Sequence, residues 1–383
     1  MHARQLLPLA LLLALTGCGP SRTILPRDGG TDAGRGGADA GTSADGGRDG
    51  GADAGWGQPD AGGDDFDGGT PAVLRVTSWN VEWFGDSANG PRDEPLQQRN
   101  VQDILRVAGH DVYGLVEVVN PTSFNALIAA LPDYRGILAS DTTQVGQPAT
   151  CSSSGGSPCY WSNEQKPALL YKASTVTVRD AQLILTHPSY DYVLAGRAPL
   201  RVDLTVNVRG FSTDLVVIVV HLKASADAES QERRWRAAND LKQYLDTNLA
   251  NQKVLVIGDW NDDLDQSITW SNGAYLPTPF QQFLDDPADY TFITQPLTLS
   301  GAQSTVRYPN VIDHHLATRG MKELYLAGSV QVMRPDQWGQ QDYASTAYLS
   351  TTDHYPVESA YLLGVVPASP DGGVDGGVDA GFD

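Results

Sequence analysis

The chain has 383 residues, with 26 basic against 46 acidic side chains and a formal net charge of −20. That length suits one large domain or two ordinary ones, and the acidity argues against a protein that grips a polyanion over a long footprint. The excess is uneven: residues 1–71 carry ten Asp against five Arg and residues 366–383 carry four Asp, which leaves about −11 on the rest.

Residues 1–17 read as an export signal, from a basic start at His2 and Arg4 through the apolar run Leu6–Leu15. That run is too short to span a bilayer. It ends in Leu15-Thr16-Gly17-Cys18, which resembles a bacterial lipobox and would place a lipid on the Cys18 sulfur. Gly19 follows where an inner-membrane retention signal would carry Asp, so the outer membrane or cell surface is the expected location, reached by acyl chains. Residues 18–71 are rich in Gly, Asp and Ala with hardly any large apolar side chain, and residues 366–383 repeat that composition. Neither stretch can offset its ordering entropy, so both are expected as flexible, self-repelling tethers.

Residues 72–365 have the texture of a mixed α/β domain. Val73–Trp79, Val112–Val118, Ala168–Tyr171, Leu200–Val208, Leu215–His221, Val254–Ile257 and Tyr355–Leu362 are short β-branched-rich runs that predict strands. Leu96–Val107 and Ala228–Leu249 have helical spacing, with Trp235, Leu241 and Leu245 on the apolar stripe of the second. The run Leu215–Val220 is continuously apolar, as expected of a strand covered on both faces. Cys151 and Cys159 are the cysteines left after Cys18, and in an oxidising compartment the simplest reading is one disulfide closing a Ser/Gly-rich loop.

Short polar motifs end several of these runs: Ser78-Trp79-Asn80-Val81-Glu82, Leu115-Val116-Glu117-Val118, His221-Leu222-Lys223, Gly258-Asp259-Trp260-Asn261, Ile312-Asp313-His314 and Thr352-Asp353-His354. In this order and spacing they resemble the endonuclease/exonuclease/phosphatase superfamily, which includes DNase I-like nucleases. The resemblance spans about residues 73–364 and implies a four-layer α/β/β/α sandwich, two packed mixed sheets flanked by helices. Gly258-Asp259-Trp260-Asn261 is the most specific of the motifs.

The resemblance also implies roles. Glu117 matches the family's metal-binding Glu, although Val116 stands where a Gln is usual. Glu82 and Asp353 would lie beside the metal, Glu82 as an alternative ligand. Asn80 would hold phosphate or a metal-bound water, and Asp259 would orient and deprotonate the attacking water. Asn261 would donate to a phosphate oxygen. His354, partnered by Asp313, and His221 would face the phosphate from two sides, where two imidazoles can supply acid and base near neutral pH. Arg197 resembles a family Arg that touches substrate phosphate. Many relatives carry Arg where Val311 stands, and Thr352 replaces a Ser.

Other polar groups read more plainly. His314 and His315 are expected in surface and strand roles. Asp262, Asp263 and Asp265 look like loop charges, and Arg233, Arg234 and Arg236 look like a solvated helix face. There is no Gly-x-Ser-x-Gly elbow, Walker loop, dinucleotide fingerprint or His-Glu-x-x-His. The expected activity is cleavage of nucleic acid, DNA favoured, with Mg²⁺ or Mn²⁺ as cofactor and Ca²⁺ as an optional structural ion. A monomer on a lipid anchor is expected. The alternatives are a sphingomyelinase- or phosphoinositide-type lipid head-group phosphodiesterase, with Trp161 and Tyr190-Asp191-Tyr192 as membrane-facing aromatics, and a catalytically silent binding module.

Overall fold

A computed structural model describes residues 69–147, 160, 161, 163–338 and 350–367. Cys18, Cys151 and Cys159, the export signal and both acidic tethers lie outside the described residues.

Two six-stranded sheets carry the domain. The first has the order β13 (Gln331–Val332), β14 (Val357–Val366), β1 (Thr70–Phe84), β2 (Val112–Val118), β4 (Lys166–Lys172), β3 (Tyr134–Leu138). The second runs β11 (Tyr290–Phe292), β12 (Asp313–Thr318), β8 (Val254–Asp259), β7 (Phe211–His221), β6 (Leu200–Val208), β5 (Val176–Leu183). A two-stranded hairpin, β9 (Trp270–Ser271) and β10 (Ala274–Tyr275), stands apart from both. Each sheet holds a single parallel pair, β1 with β2 and β7 with β8, and every other pairing in it is antiparallel.

Parallel neighbours need a crossover, and both crossovers are helical. Helix α1 (Glu94–Ala108) joins β1 to β2, and the long helix α4 (Ala228–Asn248) joins β7 to β8. The sequence marks the ends of α1 clearly. The Asp93 side chain caps its first turn by accepting from Leu96 N at 3.0 Å, Pro95 sits in that turn, and Gly109 closes the helix in the left-handed region. Asp227 caps α4 by accepting from Ser230 N at 2.9 Å. Helices α2 (Pro121–Ala129) and α3 (Pro188–Asp191) are shorter.

Strand periodicity divides the apolar residues between layers. Leu74, Val76, Val116 and Leu169 of the first sheet meet Val202, Val217, Val219 and Ile257 of the second in a core between the sheets. The outer face of the first sheet packs Trp79, Leu115 and Leu170 on Val101 and Ile104 of α1 and Phe124 of α2. The outer face of the second packs Val216, Ile218 and Val220 on Ala238, Leu241 and Leu245 of α4. The result is the four-layer DNase I-like α/β/β/α sandwich. At Gly114 the sheets approach so closely that a Cβ would lie 2.6 Å from the Ile257 side chain.

Several outer features differ from the sequence expectation. His314 and His315 do lie in a strand, β12, but both are wholly buried. His314 is held between Thr294 Oγ1 and the Asp262 carbonyl, each at 2.9 Å. His315 is held between Ser359 Oγ at 2.7 Å and Ser78 Oγ at 3.0 Å. The hydroxyls of Thr294, Ser78 and Ser359 and the Asp262 carbonyl, all distant in sequence, satisfy both rings and remove any need for solvent. Arg234 is also wholly buried, in an ion pair with Asp262 at 2.8 Å, so it is not part of a solvated face. Trp235, by contrast, points outward and is half exposed. Asp262 and Asp263 are buried as well, and only Asp265 is an exposed loop charge. Among the described residues no helix is long and apolar enough to cross a membrane.

Candidate active site

The C-terminal ends of the two parallel pairs converge on one rim, the position where strand ends in α/β sheets commonly present ligand groups. Asn80 and Glu117 come from β1 and from β2 of the first sheet. His221 and Asp259 end β7 and β8 of the second. Register fixes the second group: Asp259 stands opposite His221 on one side and opposite Asp313 on the other, so three candidate side chains form one row across three strands. His354 arrives from the segment just before β14, whose Val357 pairs with Ser78.

The backbone is unusual where these side chains turn inward. Glu82, Trp83, Glu117 and Asn261 all have positive φ between 42° and 65°, rare for residues with a Cβ. Gly258 has φ 138°, and a Cβ there would meet the Val220 carbonyl oxygen at 2.0 Å. Only glycine fits, which is the physical reason for the first letter of the Gly-Asp-x-Asn motif.

Hydrogen bonds then lock the cluster. Asn80 Nδ2 donates to Glu117 Oε1 and to Asp259 Oδ2, both at 3.0 Å. Trp83 N donates to Glu117 Oε2 at 3.0 Å, and Asn261 N to Asp259 Oδ1 at 2.8 Å. His354 Nδ1 lies 2.8 Å from Asp313 Oδ2, and its Nε2 points toward Asp259 at 3.8 Å. His221 Nε2 stands 3.6 Å from Asp259 and 3.7 Å from Glu117. Arg197 Nη1 lies 2.9 and 3.0 Å from the two His221 ring nitrogens and also donates to Gln165 Oε1, while its Nη2 donates to the Leu222 carbonyl. In this arrangement Arg197 braces His221.

All ten candidate side chains named from sequence meet here, and nine of them line a cleft of about 1000 Å³: Asn80, Glu82, Glu117, Arg197, His221, Asp259, Asn261, Asp353 and His354. Asp313 lies behind His354, fully buried. Sequence reasoning missed two supports. Gln165 anchors Arg197. Gln97 of α1, fully buried, donates to the carbonyls of Val81, Glu82 and Thr351 at 2.8–2.9 Å and so ties the strained turn after Asn80 to the segment that carries His354. A polar residue on the buried stripe of α1 was the available signal.

The electrostatics are lopsided. Five carboxylates (Glu82, Glu117, Asp259, Asp313, Asp353) face two cations, Arg197 and protonated His354. Burial, then repulsion from Asp353 and Glu117, pushes Glu82 up to about 8. Burial likewise lifts Glu117, and burial together with Asp313 raises Asp259 to about 7 against the pull of His354. His354 goes the other way from a buried imidazole: burial favours its neutral form, but Asp313 and Asp259 outweigh it and hold the ring well above its usual range. His221, desolvated beside Arg197, is held well below that range and is neutral. One imidazole is charged and the other neutral across the same cleft.

Two groupings could suggest a cation. Asp259, Asp313 and His354 bring ligand atoms within 4.8 Å of one another. The Nδ1 of His354 is already engaged by Asp313, however, so this trio is an oriented imidazole beside a carboxylate. The better fit is Glu117 with Glu82 and Asp353. Their hard oxygen donors suit Mg²⁺ or Mn²⁺, and Glu82 Oε2 is buried with no hydrogen-bond partner. A divalent ion there would favour the ionised form of carboxylates that burial and mutual repulsion otherwise hold toward neutrality.

Comparison with known proteins agrees with this fold. Among solved structures, humanized TDP2 of D. rerio is 13% identical with a TM-score of 0.51, covering 76% of this chain and 99% of that one. TDP2 of D. rerio complexed with a single-strand DNA product is 14% identical with a TM-score of 0.50, covering 76% and 99%. An endonuclease/exonuclease/phosphatase family protein of Bacteroides thetaiotaomicron is 12% identical with a TM-score of 0.51, covering 76% and 98%. These likenesses bear on the fold alone. No curated protein matches the sequence significantly. The model of the Endonuclease/Exonuclease/phosphatase family matches residues 77–354, a span that runs from the strand bearing Asn80 to His354 itself, and the chain belongs to that family.

Proposed function

We propose that the protein is a metal-dependent phosphodiesterase that cleaves nucleic acid, DNA in preference, by direct attack of water with no covalent enzyme intermediate. The observation that carries this reading is the single hydrogen-bonded cluster in which Asn80 bridges Glu117 and Asp259 while His354, fixed by Asp313, faces the same carboxylate. Glu117, with Glu82 and Asp353, would hold Mg²⁺ or Mn²⁺. Such an ion supplies Lewis-acid polarisation of a phosphoryl oxygen.

The chain's own groups do the rest. Asp259, lifted toward neutrality by burial, is placed to take a proton from the attacking water, and Asn80 and Asn261 N hold its two oxygens in position. Charged His354 stabilises the growing negative charge on phosphate and can return a proton to the leaving oxygen. Neutral His221, steadied by Arg197, faces the phosphate from the other side. Lipid anchoring through Cys18, outside the described residues, would hold this activity at a membrane surface, and the protein would act as a monomer.

A second reading has its own observation. Trp161 and Tyr192 are more than half exposed, as a lipid head-group phosphodiesterase entering a bilayer would need. Plasmid nicking separates the two. With Mg²⁺ supplied, the protein should nick supercoiled DNA, chelator should stop it, and Asp259→Ala should be silent. A folded, metal-supplied protein that leaves plasmid intact but releases head groups from vesicles would move the lipid reading to the front.

A further inference from the structure

We propose that the β9–β10 hairpin and the loop bearing Tyr308 form a stacking subsite for an unpaired nucleobase flanking the scissile phosphate. The inference rests on the nuclease reading and narrows its substrate to single-stranded or locally opened nucleic acid.

Three large rings stand at this rim: Tyr308 is 63% exposed, Trp270 59% and Tyr275 50%. Tyr275 and Tyr308 line the same cleft as Asn80, Asp259 and His354. Trp270 and Tyr275 meet edge to face with centroids 4.9 Å apart, so each fixes the other without covering it.

Both ring-bearing elements are tied to the catalytic cluster. The hairpin base is closed by Ser267 N to Leu276 O and Leu276 N to Thr269 O, each 2.9 Å. Asp262, in the loop that carries Asp259 and Asn261, accepts from Ile268 N at 2.6 Å and from Ser267 Oγ at 2.8 Å. The same carboxylate is held by buried Arg234, which also reaches Thr269 Oγ1 at 3.2 Å. Across the cleft, Tyr308 N donates to Thr305 Oγ1 at 2.9 Å in a tight turn, and Thr305 pairs by a β-bridge with His354. A ring fixed to Asp259 by one route and a ring fixed to His354 by another lie at set places relative to the reacting phosphate.

The chemistry of the wall selects the ligand. Outside the catalytic cluster, Arg307 is the one cation among the described residues that line the cleft. The electrostatic share of phosphate affinity comes from Lys and Arg, so a strand held here must gain much of its affinity elsewhere. Aromatic faces accept any base by stacking, and a base offers its face only when it has left the duplex stack. Gln266 and Asn310 share the wall with the rings, donors and acceptors that suit base edges better than acyl chains.

The test uses the full chain with Mg²⁺ and three forms: wild type, Trp270→Ala/Tyr308→Ala, and Tyr308→Phe. Substrates are a single-stranded oligonucleotide and the same strand with abasic nucleotides flanking the cleaved bond; a p-nitrophenyl phosphodiester and sphingomyelin vesicles serve as controls. The double variant should raise KM on the normal strand about tenfold with kcat little changed, and Tyr308→Phe should match wild type. On the abasic strand wild type and double variant should be alike. Equal KM values on the normal strand would overturn the subsite while leaving the nuclease reading intact. A double variant that cleaves the strand normally but no longer binds the vesicles would overturn it in favour of a membrane contact. Wild type that hydrolyses the small diester and neither strand would defeat the nuclease reading, and the subsite with it.

Discussion

The amide nitrogen of Asn80 lies 3.0 Å from an oxygen of Asp259 on the opposite sheet, and the same nitrogen serves Glu117. One small side chain therefore sets the spacing between the proposed base and the proposed metal ligand. Asn80→Ala leaves two buried carboxylates without their shared donor. We expect kcat to fall about 10²–10³-fold, the usual loss for a preorganised donor. Near-UV dichroism should be unchanged. A variant within threefold of wild type would show that the bridge is dispensable.

Asp313 is the main reason His354 is charged despite burial, with Asp259 next. In Asp313→Asn that support goes and burial dominates, so the ring's protonation range drops. The acidic form of His354 is then lost at lower pH, and the alkaline limb of the kcat profile should move to lower pH as kcat falls about 10²–10⁴-fold. The measurement is a pH–rate profile of both proteins. An unmoved alkaline limb would assign that limb to another group.

Gln97 joins three backbone carbonyls on two sides of the cleft. Gln97→Leu leaves them buried and unpaired, at a cost of about 1–3 kcal/mol, readable as a lower urea midpoint. It should also loosen Glu82, which sits at positive φ, and weaken Mg²⁺ dependence by raising the metal concentration needed for half-maximal rate. A drop in stability with an unchanged metal requirement would limit Gln97 to folding.

His315 links the fold to pH. Burial, then His314, lowers its ring from the ordinary 6.5 to about 3. Below pH 6.5 the unfolded chain takes up a proton that the folded one refuses, so stability declines as pH falls from 6.5 toward 3. At pH 5 this one residue should cost about 2 kcal/mol. Urea unfolding at pH 7 and pH 5 should show that loss, and His315→Asn should flatten it. Equal slopes would place the acid sensitivity elsewhere.

Much of this was legible because it is local. Continuous apolar or alternating runs give Val112–Val118 and Leu200–Val208 the same bounds in sequence and structure. The polar residues that end such runs, Glu117 and His221 among them, mark the rim. What stayed hidden depends on distant partners. Nothing near His315 in sequence announces Ser78 and Ser359, so two adjacent histidines resemble surface. Arg234 sat among Arg233 and Arg236 and looked solvated, yet it shares the helical spacing of Ala238, Leu241 and Leu245. Following that stripe instead of the charge run would have placed it inside and turned Trp235 outward. Edge strand β5 was passed over because Arg179 and Asp180 interrupt its alternation.

The pairing of β1 with β14 has a consequence for when the protein becomes active. The first strand of the domain zips onto the last, from Thr70 opposite Val366 to Ser78 opposite Val357. Asn80 lies just beyond one end of that zipper, and His354 lies just before it on the partner chain segment. A growing polypeptide can complete the second sheet, with Asp259 and Asp313 in row, and still lack its charged imidazole. Under the proposed mechanism catalysis waits on the final stretch of the domain, so a truncated or half-made chain would hold Asn80, Glu117 and Asp259 but, without His354, should be inactive.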